Sequence, residues 1–236
     1  MMPQGARRPE QVFVELGYEF SEDMPVFPGL PPDRVLPHSR MSDGAESNTT
    51  MLHHFIHNGT HVDAPFHFWD GGRTIDQIPL EDFVYEHPAL LMRELAKGQL
   101  FERRDIESAG VSLEGCDLLM LCSGYWKLRE RPEIYCDDFP ALSVEAARFV
   151  RLELPTVKAV AVDTLSVENP VQGPKSNFMV HRTLLNGDLY QSRPVLAFED
   201  VNLGPLVGRR VRRVYAFPLR WRGLDGSPVN PVAEVG

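Results

Sequence analysis

Five of the eight histidines in this chain fall between His53 and His67, and the densest stretch reads His57-Asn58-Gly59-Thr60-His61-Val62-Asp63-Ala64-Pro65-Phe66-His67. His57, His61, Asp63 and His67 are separated by even numbers of residues. Side chains on an extended strand alternate faces with a period of two, so all four can point the same way. A helix would also bring His57 and His61 together across one turn. Gly59, the β-branched Thr60 and Val62, and Pro65 make a helix the poorer choice. Pro65 cannot donate to a ladder, so the strand is expected to end or bend there and swing His67 across the site.

Two imidazoles and a carboxylate converging on one point suit Zn²⁺, Mn²⁺ or Fe²⁺ and leave coordination positions open for water or substrate. A lone histidine is usually just a satisfied structural group. Four candidate ligands on one strand face within eleven residues are a different matter. Two rival readings stand beside a hydrolytic metal site. His61, Asp63 and the distant His181 make the 2-His-1-carboxylate set of a non-haem Fe(II) oxygenase, a reading that leaves His57 and His67 without a role. A binding module that keeps the metal but lacks turnover is the other, and the presence of His67 argues against it.

The 236 residues are 43% hydrophobic and 24% charged, an ordinary soluble composition. The longest apolar runs, such as Leu118 to Cys122, fall far short of the roughly 20 residues a membrane span needs. Met1 to Glu10 is polar, with Arg7 and Arg8, and no secretory leader is expected. Cys116, Cys122 and Cys136 are odd in number and lack a CxxC spacing, so reduced thiols and a cytoplasmic protein are expected. A net charge of −9 and a pI of about 5.4 disfavour nucleic acid and anionic lipid as partners. The basic run Arg209-Arg210-Val211-Arg212-Arg213 reads as a strand or strand edge whose arginines are solvated or paired.

The pattern along the chain predicts a mixed α/β fold. Ser143 caps a helix through Leu152 that Pro155 ends; shorter helices are expected over Ser176–Leu185 and Glu102–Ala109. Cys116–Cys122, Lys158–Asp163, Pro194–Phe198 and Val211–Leu219 read as strands, the first two buried on both faces. Gln11–Leu16 is strand-like, and the four prolines of Pro28–Pro37 mark an ordered loop after it.

His57 to His67 matches H-x-G-T-H-x-D-x-P-x-H, and the chain thereby resembles the metal-dependent cyclase family, which includes bacterial kynurenine formamidases (arylformamidases) and isatin hydrolases. Met24-Pro25-Val26-Phe27-Pro28-Gly29, Asp117 to Gly124, Asp163 to Val167, His181 to Leu185 and Pro218-Leu219 extend the likeness over nearly the whole chain. The resemblance implies one swivelling β/β/α domain over residues 1–236, usually a homodimer or larger homo-oligomer. It makes His57, His61 and Asp63 metal ligands and His67 the catalytic acid/base. His181 and Glu199 are the matching positions for the rest of a one- or two-ion centre, Zn or Mn. Glu199 fits better than Asp200 because it ends the apolar run Val195 to Phe198, although Asp188 to Arg193 looks inserted. The implied activity is hydrolysis of a small amide or lactam by metal-activated water, with Phe27 beside an aromatic substrate. No G-x-S-x-G elbow offers a serine route. Ser123 and Ser166 are expected as turn or supporting residues and Cys122 as an inert buried thiol. Regular strand alternation would turn Phe66 and Phe68 away from His67, with at least one of them packing in the core.

Overall fold

The computed structural model describes residues 12–236; Met1–Gln11, with the polar run holding Arg7 and Arg8, lie outside the described residues. At the centre is a six-stranded mixed sheet in the order Gly226–Pro228, His61–Asp63, Leu196–Glu199, Ala159–Val162, Leu118–Cys122, Pro88–Met92. The last four run parallel, and the His61–Asp63 strand is antiparallel to both of its neighbours. Leu118–Cys122 and Ala159–Val162 are buried at every position, as short, uninterrupted apolar runs require. Both outer strands carry a proline at one end, where a missing N–H removes little of the ladder.

Alternation along these strands builds two cores. Leu118, Met120, Ala159, Ala161, Leu196 and Phe198 join Leu16, Tyr85, Val214 and Ala233 in one cluster. The latter group belongs to or adjoins a four-stranded antiparallel sheet of Val12–Glu15, Val232–Val235, Val211–Tyr215 and Val84–Tyr85. Leu119, Leu121, Val160, Val162 and Ala197 face the other way, onto Ile106, Ala146, Val150, Val180 and Leu184 of the helices. The layers are therefore sheet, sheet, helices, the mixed α/β arrangement the sequence pattern predicts. The basic run enters the strand Val211–Tyr215, with Val214 in the core and Arg213 exposed.

The helix Val144–Glu153 starts where Ser143 accepts from Ala146 N at 3.1 Å, and it stops before Pro155. Arg103–Glu107 is helical as expected, with Glu102 and Asp105 forming a reciprocal cap. The helix expected from Ser176 begins later, at Met179. Pro174–Ser176 forms a separate 3-10 turn, and Asn177 and Phe178 then adopt left-handed backbone with φ of 55° and 52°.

The histidine segment departs most from expectation. Only His61–Asp63 is strand; His57 lies in the turn before it, and Pro65–His67 closes into a 3-10 turn. Gly59 adopts φ +65°, and a Cβ there would meet the Phe20 ring at 2.8 Å, so the chain turns sharply between the first two histidines. His57, His61, Asp63 and His67 converge by three conformations rather than one strand face. No helix among the described residues is long and apolar enough to cross a membrane.

Candidate metal centre and active site

Asp63 and Glu199 come from adjacent antiparallel strands, with Glu199 opposite His61 and Ala197 opposite Asp63. That pairing brings two carboxylates beside the His61 ring at the buried end of the sheet. His61 Nδ1 donates to Gly59 O at 2.8 Å, which turns Nε2 toward the two carboxylates. That Nε2 lies 3.3 Å from Asp63 Oδ1 and 3.4 Å from Glu199 Oε2.

His181 arrives from the helix Met179–Leu185. Glu168 Oε2 accepts from its Nδ1 at 2.9 Å and from its backbone N–H at 3.1 Å, so one carboxylate oxygen fixes both the ring and the start of the helix. Its Nε2 lies 3.2 Å from Glu199 Oε1 and 3.6 Å from Asp63 Oδ2. Glu199 Oε1 is itself positioned by Ser166 Oγ at 2.8 Å and Val167 N at 2.7 Å. His57 Nδ1 stands 2.9 Å from Asp63 Oδ1, and its ring stacks on His67 with centroids 3.9 Å apart.

A direct test of whether these residues fit a cation lies in their unmet polar atoms. His61 Nε2 and Asp63 Oδ2 are buried without a hydrogen-bond partner, and a cation between them would satisfy both. Tetrahedral ligand bonds of about 2.0–2.2 Å set ligand atoms about 3.3–3.6 Å apart, close to the separations found here. The donor set of imidazole nitrogens and carboxylate oxygens fits a divalent ion.

The groups of this centre shift one another strongly. Burial opposes charge on every group, yet Asp63 is held well below the usual carboxylate range by His67, His57 and His61. Glu199, which burial and Asp63 push up, is drawn down to about 2 by His181 and His61. Burial would lower His181, but Glu168 and Glu199 lift it to about 10. His67 differs: burial, with the neighbouring His57 and His181, outweighs the pull of Asp63 and Asp225 and lowers its pKa.

A cavity of about 220 Å³ opens onto this centre, walled by Phe27, Leu30, Phe55, Phe68, Leu165 and Phe178, with His57, His67, His181, Ser166 and Glu199 also on its lining. Phe27 is held edge-on to Phe139 at 6.0 Å. Phe68 stacks on His181 at 4.6 Å and 19°, because the 3-10 turn rotates it inward. That overturns the expectation that it faces away from His67. Cys122 Sγ instead points to Asp163 at 3.6 Å, and burial pushes its thiol up to about 12, an inert group.

The structure thus brings together His57, His61, Asp63, His67, His181, Glu199 and Phe27. Sequence reasoning missed Asp225, 2.8 Å from His57 Nε2, together with Glu168, Phe55 and Phe178. Asp225-Gly226 reads locally as a turn, and Glu168 as one acid in a loop. Neither carries a signal of its neighbours across the fold.

A three-layer mixed α/β protein with a buried histidine–carboxylate centre is the class that fold and site define. The chain belongs to the cyclase family, whose model matches residues 14–169. It is 28% identical over 225 residues to a kynurenine formamidase of Bacillus thuringiensis, covering 93% of this chain and 96% of that protein. Cyclase-like protein 1 of Arabidopsis thaliana is 27% identical over 195 residues, covering 80% and 71%. Among solved structures, isatin hydrolase A from Ralstonia solanacearum shares the fold with a TM-score of 0.79 at 18% identity, covering 99% of this chain and all 100% of that one.

Proposed function

We propose that this chain is a divalent-metal-dependent amidohydrolase, acting on a small formyl-anilide or a cyclic amide with an aromatic ring. The observation that carries the reading is the pair of unpartnered buried atoms, His61 Nε2 and Asp63 Oδ2, beside an apolar cavity with His67 on its lining. The amide-hydrolysing relatives support the reaction class. His57, His61, Asp63, His181 and Glu199 would hold one or two ions, Zn or Mn. Such an ion would supply Lewis acidity, lowering the pKa of bound water toward about 7 and polarising a carbonyl oxygen.

The chain's own residues do the rest. His67, on the cavity lining with its pKa lowered by burial, takes a proton from water and returns it to the leaving nitrogen. Phe27, Phe55, Phe68 and Phe178 orient a flat ring and exclude solvent from the reacting carbonyl. Glu168 and Ser166 hold His181 and Glu199 in the geometry a cation needs. The reading carries with it a reducing cytoplasmic setting for the three free cysteines, one catalytic domain over 1–236, and a homodimer or larger assembly.

The iron-oxygenase alternative uses His61, Asp63 and His181 and leaves Glu199 idle, although it lies within 3.4 Å of both rings. Elemental analysis with a hydrolysis screen of aryl formamides, lactams and lactones on metal-loaded protein decides the matter. Stoichiometric zinc or manganese with amide turnover is expected, and His61→Ala and Asp63→Ala should each strip the metal. Protein that binds no transition metal, or that consumes oxygen rather than amide, would overturn the proposal.

A further inference from the structure

Residues 188–193, which look inserted against the cyclase pattern, are fastened to the fold. Buried Arg151 donates to Ser192 Oγ at 2.9 Å and to Ser192 O at 2.8 Å, and also to the carbonyls of Thr183 and Leu184, both at 2.8 Å. Asp188 Oδ2 accepts from Trp69 Nε1 at 2.8 Å, and Gly187 lies so close to the indole that a Cβ would meet it at 2.6 Å. Arg193 Nη2 pairs with Asp82 Oδ1 at 2.7 Å. The candidate metal centre uses none of these residues.

The segment helps to enclose a second cavity, of about 560 Å³, beside the Pro65–His67 turn, and it shares no lining residue with the catalytic cavity. Pro65, Ile78, Leu196 and the Trp69 ring form its apolar walls, and Ile78 and Leu196 are core residues, so the floor is the protein interior. Its charged groups are Arg73 and Arg193 against Asp82 alone, a net positive rim on a chain of net charge −9. Arg193 spends Nη2 on Asp82, and Arg73 has no ion-pair partner among the described residues. Gly72 brings Arg73 there: it lies so close to the turn that a Cβ would meet Pro65 C at 2.6 Å, and Arg73 O accepts from Phe66 N at 3.1 Å. Apolar walls with a few convergent charged groups, at this volume, make a small-molecule site. Two guanidiniums suit a carboxylate or phosphate, and an indole offers its face to a flat ring.

We propose that residues 188–193 complete a second ligand site and that it takes an aromatic anion, a flat ring against Trp69 with its carboxylate or phosphate held by Arg73 and Arg193. The site is independent of the metal centre and of the reaction proposed for it.

The test is titration calorimetry on zinc-loaded protein, with ¹H–¹⁵N NMR of the Trp69 indole, using 2-naphthoate, 2-naphthyl phosphate and the uncharged 2-naphthamide. At least one of the two anions should bind once per chain with a submillimolar Kd and move the Trp69 N–H signal; the tighter of the two identifies the anionic group. The amide should bind at least about 10-fold more weakly, and Arg73→Gln and Arg193→Gln should each weaken the anion about 10–100-fold, the usual loss for a hydrogen bond to a charged group. Asp82→Asn removes the competing carboxylate and should tighten the anion, a gain that no folding defect gives. No saturable binding of either anion below about 5 mM, or equal affinity for anion and amide, overturns the proposal. So does anion binding that both arginine variants retain in full; if chelating the zinc then abolishes it, the ligand sits in the catalytic cavity instead.

Discussion

Glu199 and Asp200 are neighbours in sequence, both buried, and they serve opposite kinds of network. Asp200 accepts from Arg129 Nε at 3.0 Å, from Arg129 Nη2 at 2.7 Å and from the Tyr135 hydroxyl at 2.7 Å. Arg129 in turn lies 3.8 Å over the Tyr18 ring, and Thr60 Oγ1 donates to the Asp200 carbonyl at 2.6 Å. Both oxygens of the Asp200 carboxylate are satisfied, while the Tyr18 hydroxyl beside them is buried without a partner. Around Glu199, His61 Nε2 and His181 Nε2 converge with a second carboxylate, Asp63, next to a cavity. A buried carboxylate paired with a guanidinium holds structure; two carboxylates and two imidazoles converging on one point have the donor set for a cation. The histidine motif serves both, since Thr60 faces the Asp200 network and His61 the Glu199 one.

The largest expected effect breaks the Asp200 side. Arg129→Ala leaves Asp200 charged and buried with only Tyr135, which should cost about 3–5 kcal/mol in a denaturant melt. Metal bound per folded chain should not change. A loss under about 1 kcal/mol would mean the Asp200 network is not structural.

Next comes the Glu199 side. His67→Ala should retain its metal and lose at least about 10²-fold in kcat, the usual share of general acid–base catalysis. Metal loss in that variant would make His67 a ligand and require another proton carrier.

Glu168→Gln probes what separates the two networks, namely whether the charge behind His181 serves a cation. A chelator competition should show metal affinity weakened about 10–100-fold, as expected for a partner that orients a metal-bound histidine. An unchanged affinity would leave Glu168 as a cap for the Met179–Leu185 helix alone.

Phe27→Ala is expected to act least. Ring packing is worth about 0.5–1.5 kcal/mol beyond burial, so KM for an aromatic amide should rise several-fold with metal content unaltered. A variant that handles aromatic and aliphatic amides equally well, as the parent would then also do, removes the case for an aromatic pocket.

Much of the fold was legible in the chain because its signals are local. The runs at Leu118–Cys122 and Ala159–Val162 are apolar at every position, and short runs of this kind bounded by turn residues suit strands covered on both faces. Ser143 and Pro155 mark a helix by atoms that act within one turn. The conformation of the histidine segment was less legible. Even spacing favoured one straight strand, but the left-handed Gly59 and the turn at Pro65 deliver His57 and His67 from either side of a three-residue strand. Phe68 moved into the cavity for the same reason.

The sequence by itself determined the chemistry of the centre. Three imidazoles and one carboxylate, at His57, His61, His67 and Asp63, lie within eleven residues, so a compact path of the backbone keeps them close. Only the tertiary structure decided which atoms of those groups are free. Glu168 acts on His181 across 13 residues, and Asp225 acts on His57 across 168. Those pairings depend on helix docking and on the antiparallel register of Gly226–Pro228 with His61–Asp63. A hydrogen bond is set by positions to within a few tenths of an ångström, and no local pattern carries that information between segments so far apart.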